Sequence, residues 1–246
     1  MELVKKFINK FLKCFDRKLI KISKNPDFAI LLVNFMNFYK INYVLDIGAN
    51  IGQFAISIRN AGYKKNILSF EPINQVYNKL IINSSKDELW SVYKRCCVGE
   101  KNKKITFNVS KNLVSSSVLK VNTQHIENEK NSESSKKIKV NMITLDSFFN
   151  KKKKLLNFNI LLKLDVQGYE LNVLKGIKKN IKNISAILCE VSLDRLYFNQ
   201  PLWLDLVFFL KKNNFIIWLL ERGFSNYNTG RTLQLDILFV NKNFLD

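Results

Sequence analysis

The sequence predicts an α/β protein: a doubly wound, Rossmann-like sheet of seven mostly parallel strands, with an antiparallel last strand and helices on both faces. Three observations predict it. From Tyr43 onward short apolar runs alternate with helical patterns, the mark of βα units. Val44–Ile58, "VLDIGANIGQFAISI", reads as a buried strand, a glycine turn and a helix whose apolar face resumes at Phe54. The closing run "LQLDILFV" follows another apolar run with no crossover helix of ~10 residues between them, so it has to pair antiparallel with its neighbour.

The 246 residues suit one such domain, taken as 41–246, behind an N-terminal extension, 1–40. In residues 1–22 Leu3, Val4, Phe7, Ile8, Phe11, Leu12, Phe15, Leu19 and Ile22 fall at helical spacing, with lysines on the other side. This basic amphipathic helix either docks its stripe on the domain, the preferred reading, or makes a peripheral contact with an anionic membrane. "NPDF" supplies a proline and a capping residue for a second helix starting near Asp27. Strands are expected at Tyr43–Ile47, Asn66–Phe70, Val92–Cys97, Ile160–Leu164, Ala186–Val191, Phe215–Leu220 and Leu235–Val240. Between Cys97 and Ile160, "KITFNVS" and "KIKVNMITL" alternate like half-exposed strands. They enclose "VNTQHIENEKNSESSKK", expected to be a mobile loop in an insertion near 110–140 that carries the single histidine, His125, in solvent. Asp146 is expected to cap a short helix.

The net charge of +20 admits two readings: a polyanion partner, or the abundance of lysine in an AT-rich coding sequence, which is preferred because the lysines are scattered. Cys14, Cys96, Cys97 and Cys189 have neither C-x-x-C spacing nor a disulfide framework, which suits a reducing cytoplasm. No apolar run approaches the ~20 residues of a membrane span, and no signal peptide is read.

The chemistry begins at Asp46-Ile-Gly48. Gly48 can turn with positive φ, Gly52 can let the helix approach closely, and the helix start offers free N–H groups. Nineteen residues past Gly52, Glu71 ends the second strand, where an acid accepts hydrogen bonds from a ribose diol. The glycines are spaced G-x-x-x-G, not G-x-G-x-x-G, and Asp46 would repel a pyrophosphate. The pattern therefore suits a nucleoside bearing an ammonium and a sulfonium, such as S-adenosylmethionine.

The motifs "DIGANIGQFA", "SFEP", "LKLDVQGYELNVLKG", "CEVS" with "LY" downstream, and "LDILFV" stand in an order that resembles the FkbM-like family of class I S-adenosylmethionine-dependent methyltransferases, over roughly Ile41 to Val240. The resemblance implies O-methylation of a sugar, glycan or other hydroxylated small molecule. It implies that Asp46, Gly48, Asn50 and Gly52 cradle the methionine part, that Glu71 holds the ribose, and that Cys97 and Val98 lie against the adenine.

Asp165 ends the strand Ile160–Leu164 at the same sheet edge and is the first candidate for the base that deprotonates an acceptor hydroxyl. Glu190, at the next strand tip, is the second. The two could share a divalent metal, although the metal-free version is preferred and no third ligand can be named. Lys163 alternates to the face of Asp165, to pair with it or to steer an acceptor. Gln167 with Gly168 forms the turn on the acceptor side, Glu170 favours the helix dipole, and Tyr197, Asn199 and Gln200 are acceptor-pocket candidates. Two alternatives stay open: an RNA methyltransferase, disfavoured by the lack of an RNA-binding module, and a non-catalytic membrane-associated protein keeping the fold.

Overall fold

The computed structural model describes residues 27–226 and 228–245. The expected amphipathic helix over 1–22, with Cys14, lies outside the described residues. In chain order the elements are α1 (Phe28–Phe38), β1 (Tyr43–Ile47), α2 (Gln53–Asn60), β2 (Asn66–Phe70), α3 (Asn74–Ser84), β3 (Trp90–Val92), β4 (Cys97–Val98), β5 (Lys103–Ser110) and α4 (Thr123–Asn128). There follow β6 (Ser134–Ile143), α5 (Leu145–Lys151), β7 (Ile160–Leu164), α6 (Glu170–Lys175), β8 (Ala186–Ser192), α7 (Trp203–Lys212), β9 (Phe215–Arg222) and β10 (Gln234–Asn241).

Seven strands form the main sheet in the order β3-β2-β1-β7-β8-β10-β9. All neighbours pair in parallel except β10, which runs antiparallel to both β8 and β9. The sheet is doubly wound, as expected. β7 is buried along its whole length, which explains its unbroken apolar run: a strand covered on both faces has no polar side to alternate with. On one face α5, α6 and α7 contribute Phe148, Phe149, Val173, Leu174, Leu206 and Leu210 to the larger core cluster. On the other, α1 and α2 pack through Leu32, Val33, Met36, Ala55 and Ile58. Thus α1, assigned by sequence to the extension, is part of the domain core.

Two expectations fail between β3 and β7. The run Val92–Cys97 is not one strand: β3 ends at Val92, and β4 belongs to a separate three-stranded sheet, β4-β6-β5. The polar sequence Tyr93-Lys94-Arg95 breaks the run and lets the chain cross from the edge of one sheet to the other. The stretch 121–137, expected as a loop, holds α4, a 3-10 turn at Lys130–Ser132 and the start of β6. His125 is accordingly not solvated. It is 3% exposed, packed against Tyr197 (5.2 Å between ring centroids) and Phe224 (5.7 Å), and burial lowers its pKa to about 4. A short helix reads as polar when its only apolar residue, here Ile126, is half-buried and the residue that it buries fully is His125.

Candidate active site

The carboxyl edge of the sheet opens into a cavity of about 370 Å³ beneath the three-stranded sheet on one side and α1 and α2 on the other. Its volume lies in the range of small-ligand sites. The β1–α2 turn forms one wall. Gly48 has φ +81°, and a Cβ there would run into the backbone oxygen of Asp165, so the β1 and β7 loop ends touch only because the side chain is absent. Gly48→Ala should destabilise the fold by more than about 2 kcal/mol, read from a denaturant midpoint. Gly62→Ala, also at positive φ but in open space, should cost about half of that or less.

Asn50 sits in the left-handed region (φ +49°), which asparagine tolerates, and its Oδ1 accepts the Ile51 N–H at 2.8 Å. Its own N–H donates to Glu71 Oε2 at 3.1 Å, while Glu71 Oε1 accepts the Ile73 N–H at 2.8 Å. One buried carboxylate thus ties the β1–α2 turn to the β2–α3 turn, each oxygen keeping a free lone pair. Burial pushes Glu71 up to about 7 against these two hydrogen bonds. Cys96, Cys97 and Val98 line the cavity beside Ile73, Phe107 and Tyr169. Burial pushes the Cys96 and Cys97 thiols up to about 12, so they are apolar walls and not nucleophiles.

Asp46 and Gly52 do not line the cavity. Asp46 lies within β1 and is fully buried, accepting from Ser69 Oγ at 3.2 Å, with Lys163 Nζ at 3.3 Å. Gly52 turns its open side to the Trp90 ring, which a Cβ would strike. Ser69 in turn accepts the Trp90 indole N–H at 3.0 Å. These residues therefore support the site from beneath.

On the β7 side, Lys163 Nζ stands 3.3 Å from Asp165 Oδ2 and 3.4 Å from the Gly48 carbonyl. Burial alone would lower the ammonium pKa, but Asp165 and Asp46 outweigh it and hold the group charged. Phe54 faces this ammonium, its ring centroid 5.6 Å away. The Asp165 side chain is 37% exposed against 0% for Asp46, so Asp165 is the carboxylate that the cavity meets. Gln167, forced to φ +55°, aims its amide nitrogen at both Asp165 Oδ1 and Glu190 Oε2, each at 2.9 Å. Its Oε1 faces the Tyr197 hydroxyl at 2.8 Å, and that single hydroxyl proton is shared with the Ser115 carbonyl at 3.0 Å. The amide is thus committed to holding two acids and anchoring the insertion.

Glu190 and Tyr197 lie just behind this wall, and Asn199 is an exposed turn residue at φ +57°. Gln200 is buried and spans Ser192 and the Leu196 and Tyr197 N–H groups, so none of these last four forms a cavity surface. Burial, then Asp165, Glu170 and Asp236, raise Glu190 well above the usual carboxylate range. Glu170 does more than meet a helix dipole: its Oε1 accepts the Val166 N–H at 3.0 Å and the Gly168 N–H at 3.1 Å, fixing the turn after Asp165. Asp146 is not the helix cap, which is Thr144; its carboxylate instead accepts the Lys179 and Asn180 N–H groups. Sequence reading missed Asp236, which lies opposite Glu190 in register, lines the cavity, and is raised to about 6 by burial and then by Asp165. The available signal was an acid inside the apolar closing run "LQLDILFV". Among the described residues no group of three or more His, Cys, Asp or Glu side chains is arranged to hold a metal ion.

Comparison with known proteins bears on this arrangement. The sequence model of the Methyltransferase FkbM domain matches residues 46–217, more than half of the chain. The chain belongs to the FkbM methyltransferase family. The match begins at Asp46 and takes in Gly48, Glu71, Lys163, Asp165, Gln167 and Glu190, while the α1 wall of the cavity in this FkbM protein and its Asp236 lie outside the matched segment. Among curated proteins none matches it in sequence. Solved structures resemble it in fold only. TrmK of M. capricolum, solved with S-adenosyl-homocysteine, has 13% identity and a TM-score of 0.45, over 88% of this chain and 69% of its own. The magnesium protoporphyrin IX methyltransferase of Synechocystis PCC 6803, solved with bound SAM, has 9% identity and a TM-score of 0.48, over 98% and 96%.

Proposed function

We propose that this FkbM methyltransferase transfers a methyl group from S-adenosylmethionine to a hydroxyl group of a sugar, glycan or related small molecule. The observation that carries the reading is Asp165: a partly exposed carboxylate on the cavity wall, held by Lys163 and Gln167, at the same sheet edge as Glu71. When bound, the cofactor supplies an electrophilic methyl group on a sulfonium. Glu71 has the free lone pairs to accept a ribose diol, Ile73, Cys97 and Val98 offer an apolar slot for a purine, and Gly48 and Asn50 present backbone to the methionine part. The acidic character of the wall beyond them suits a cationic sulfonium and would repel a pyrophosphate.

A sugar hydroxyl is a weak nucleophile, and a carboxylate within hydrogen-bond reach can take its proton as the bond to carbon forms. Lys163 and Gln167 fix the orientation of Asp165 before any acceptor arrives, which is where much of the rate of a transfer reaction comes from. The cavity continues past Asp165 under α1, between Phe28, Leu32, Phe54 and Leu188, with Asp236 on its wall. Apolar sides and carboxylates at the reacting end favour an uncharged acceptor over a phosphorylated one.

Asp165→Asn should lower methyl transfer by about 10²–10⁴-fold, the usual contribution of a general base, while S-adenosylhomocysteine affinity stays within about threefold. The check is calorimetric titration together with transfer of a labelled methyl to a panel of glycosides. An intact protein that does not bind S-adenosylhomocysteine would overturn the reading.

A further inference from the structure

Part of the positive charge gathers at one end of the sheet without acids between. In a doubly wound sheet the helix-to-strand turns emerge at the amino edge, the end opposite the site. Here those turns are stitched side by side. Backbone N–H groups of Asn42, Ser185, Asn241 and Lys242 donate to the carbonyls of Asn159, Ile160, Ser185 and Asn214, at 2.9–3.1 Å. They make one continuous floor beneath β1, β7, β8, β10 and β9.

Each of these turns carries exposed lysine. Lys40 precedes β1 and the run Lys151–Lys154 precedes β7. Lys178, Lys179 and Lys182 lead into β8, Lys211 and Lys212 into β9, and Lys242 follows β10. The turns themselves, 39–42, 151–159, 176–185, 211–214 and 241–245, contain no Asp or Glu. Among the described residues none of these lysines is in an ion pair. The one pair at this end of the sheet, Arg59 with Asp87, lies beside the β2 and β3 turns outside the floor, and the others, Arg231 with Asp194, Lys111 with Glu133, and Lys163 with Asp46 and Asp165, lie elsewhere. A shallow recess of about 210 Å³ in the floor is lined by Asn157, Asn183, Asn243 and Lys182, amide and ammonium donors suited to phosphate oxygens, while the amides of Asn159 and Asn241 are spent on the Lys40, Lys182 and Ile184 carbonyls.

We infer that this floor docks the protein on an anionic phospholipid bilayer, with the site facing away from it. The lysines rise from five separate turns across the flat end of a sheet and do not line a groove that would track a polynucleotide. Phe158 and Phe244, the aromatic residues at the recess, are half-buried against Tyr43 and Tyr39 and offer no free face for stacking on bases. Phe38, 77% exposed and two residues from Lys40, is the apolar group that a headgroup region accommodates. Each lysine near such a surface contributes about 1 kcal/mol, so the floor can hold the protein without a lipid anchor. A nucleic acid bound here would lie at the far end from Asp165, so the floor lysines give no support to RNA methylation.

The test is sedimentation of the full-length protein with phosphatidylcholine vesicles, with and without about 30 mol % phosphatidylglycerol, at ~0.1 M and ~0.5 M salt. Binding only to the anionic vesicles, released at the higher salt, is expected. K151E/K152E/K153E/K154E/K182E should lower partitioning by about a hundredfold or more, and the opposite-edge variant K94E/K120E by less than about threefold, with unchanged melting temperatures confirming both folds. Failure to bind anionic vesicles, or equal effects of the two variants, overturns the inference. So does binding that ignores the floor lysines, which would place the contact elsewhere on the chain, or floor-dependent retention of single-stranded RNA without vesicle binding.

Discussion

Replacing Lys163 with methionine should destabilise the folded protein by about 3–5 kcal/mol, the range seen when one partner is removed from a buried ion pair. The cause is the group left behind. Asp46 is wholly enclosed, and its Oδ1 has Lys163 as its only polar neighbour among the described residues. Burial already pushes the Asp46 carboxyl up, and Lys163 is the first influence pulling it back down. Without the ammonium, Asp46 must take up a proton or remain an unpaired buried charge. Asp46→Asn combined with Lys163→Met should recover most of the loss, because both partners are then neutral and of similar shape. Urea midpoints for the parent protein and the two variants measure this directly. Equal destabilisation by the single and double variants would show that Lys163 stabilises through packing instead.

That ion pair also explains the unusual wording of "KLDVQG". Trp90, Ser69, Asp46, Lys163, Asp165, Gln167 and Glu190 form a line of polar contacts across β3, β2, β1, β7 and β8. In sequence each of them is an isolated polar residue at or near the end of an apolar strand. Strand spacing and alternation were enough to bring Asp46, Lys163 and Asp165 to one edge of the sheet, and the doubly wound, mostly parallel sheet with its reversed last strand was legible in the same pattern, though not the order of its strands. What those clues lack is depth. Asp46 and Asp165 both belong to strand ends, yet one faces inward toward Ser69 and the other the cavity, a difference set by where each strand stops. Gln167 and Tyr197 look like free hydrogen-bonding groups in sequence, while the fold commits them to each other. Asp236 went unnoticed because its role depends on β10 inserting between β8 and β9, which sets Asp236 opposite Glu190 although the end of β8 at Ser192 and the start of β10 at Gln234 are 42 residues apart along the chain. The insertion was least legible, since α4 shows too few apolar residues to declare a helical period.

Glu71 should give opposite pH trends in stability and in cofactor binding. Burial raises it from its ordinary 4.5 to about 7, and Glu170 behaves alike. Between about 4.5 and 7 the folded protein holds protons that the unfolded chain has released, so this contribution to stability is fully present below the lower value and is lost as pH rises through 7. The melting temperature of the free protein should therefore fall from pH 6 to pH 8 at about constant ionic strength. Affinity for S-adenosylhomocysteine should rise over the same interval, because only the ionised carboxylate keeps both oxygens free to accept from a ribose diol as well as from Asn50 and Ile73. Glu71→Gln should flatten part of the melting trend, leaving the share of Glu170, and weaken binding about tenfold. Glu71→Ala also releases the two backbone N–H groups that fix the walls, so its loss should reach about a hundredfold or more, at about 1.5–3 kcal/mol per charged hydrogen bond. Differential scanning fluorimetry and calorimetric titration across this pH range supply both readouts. Parallel trends in the two would mean that the ribose is held by some other group.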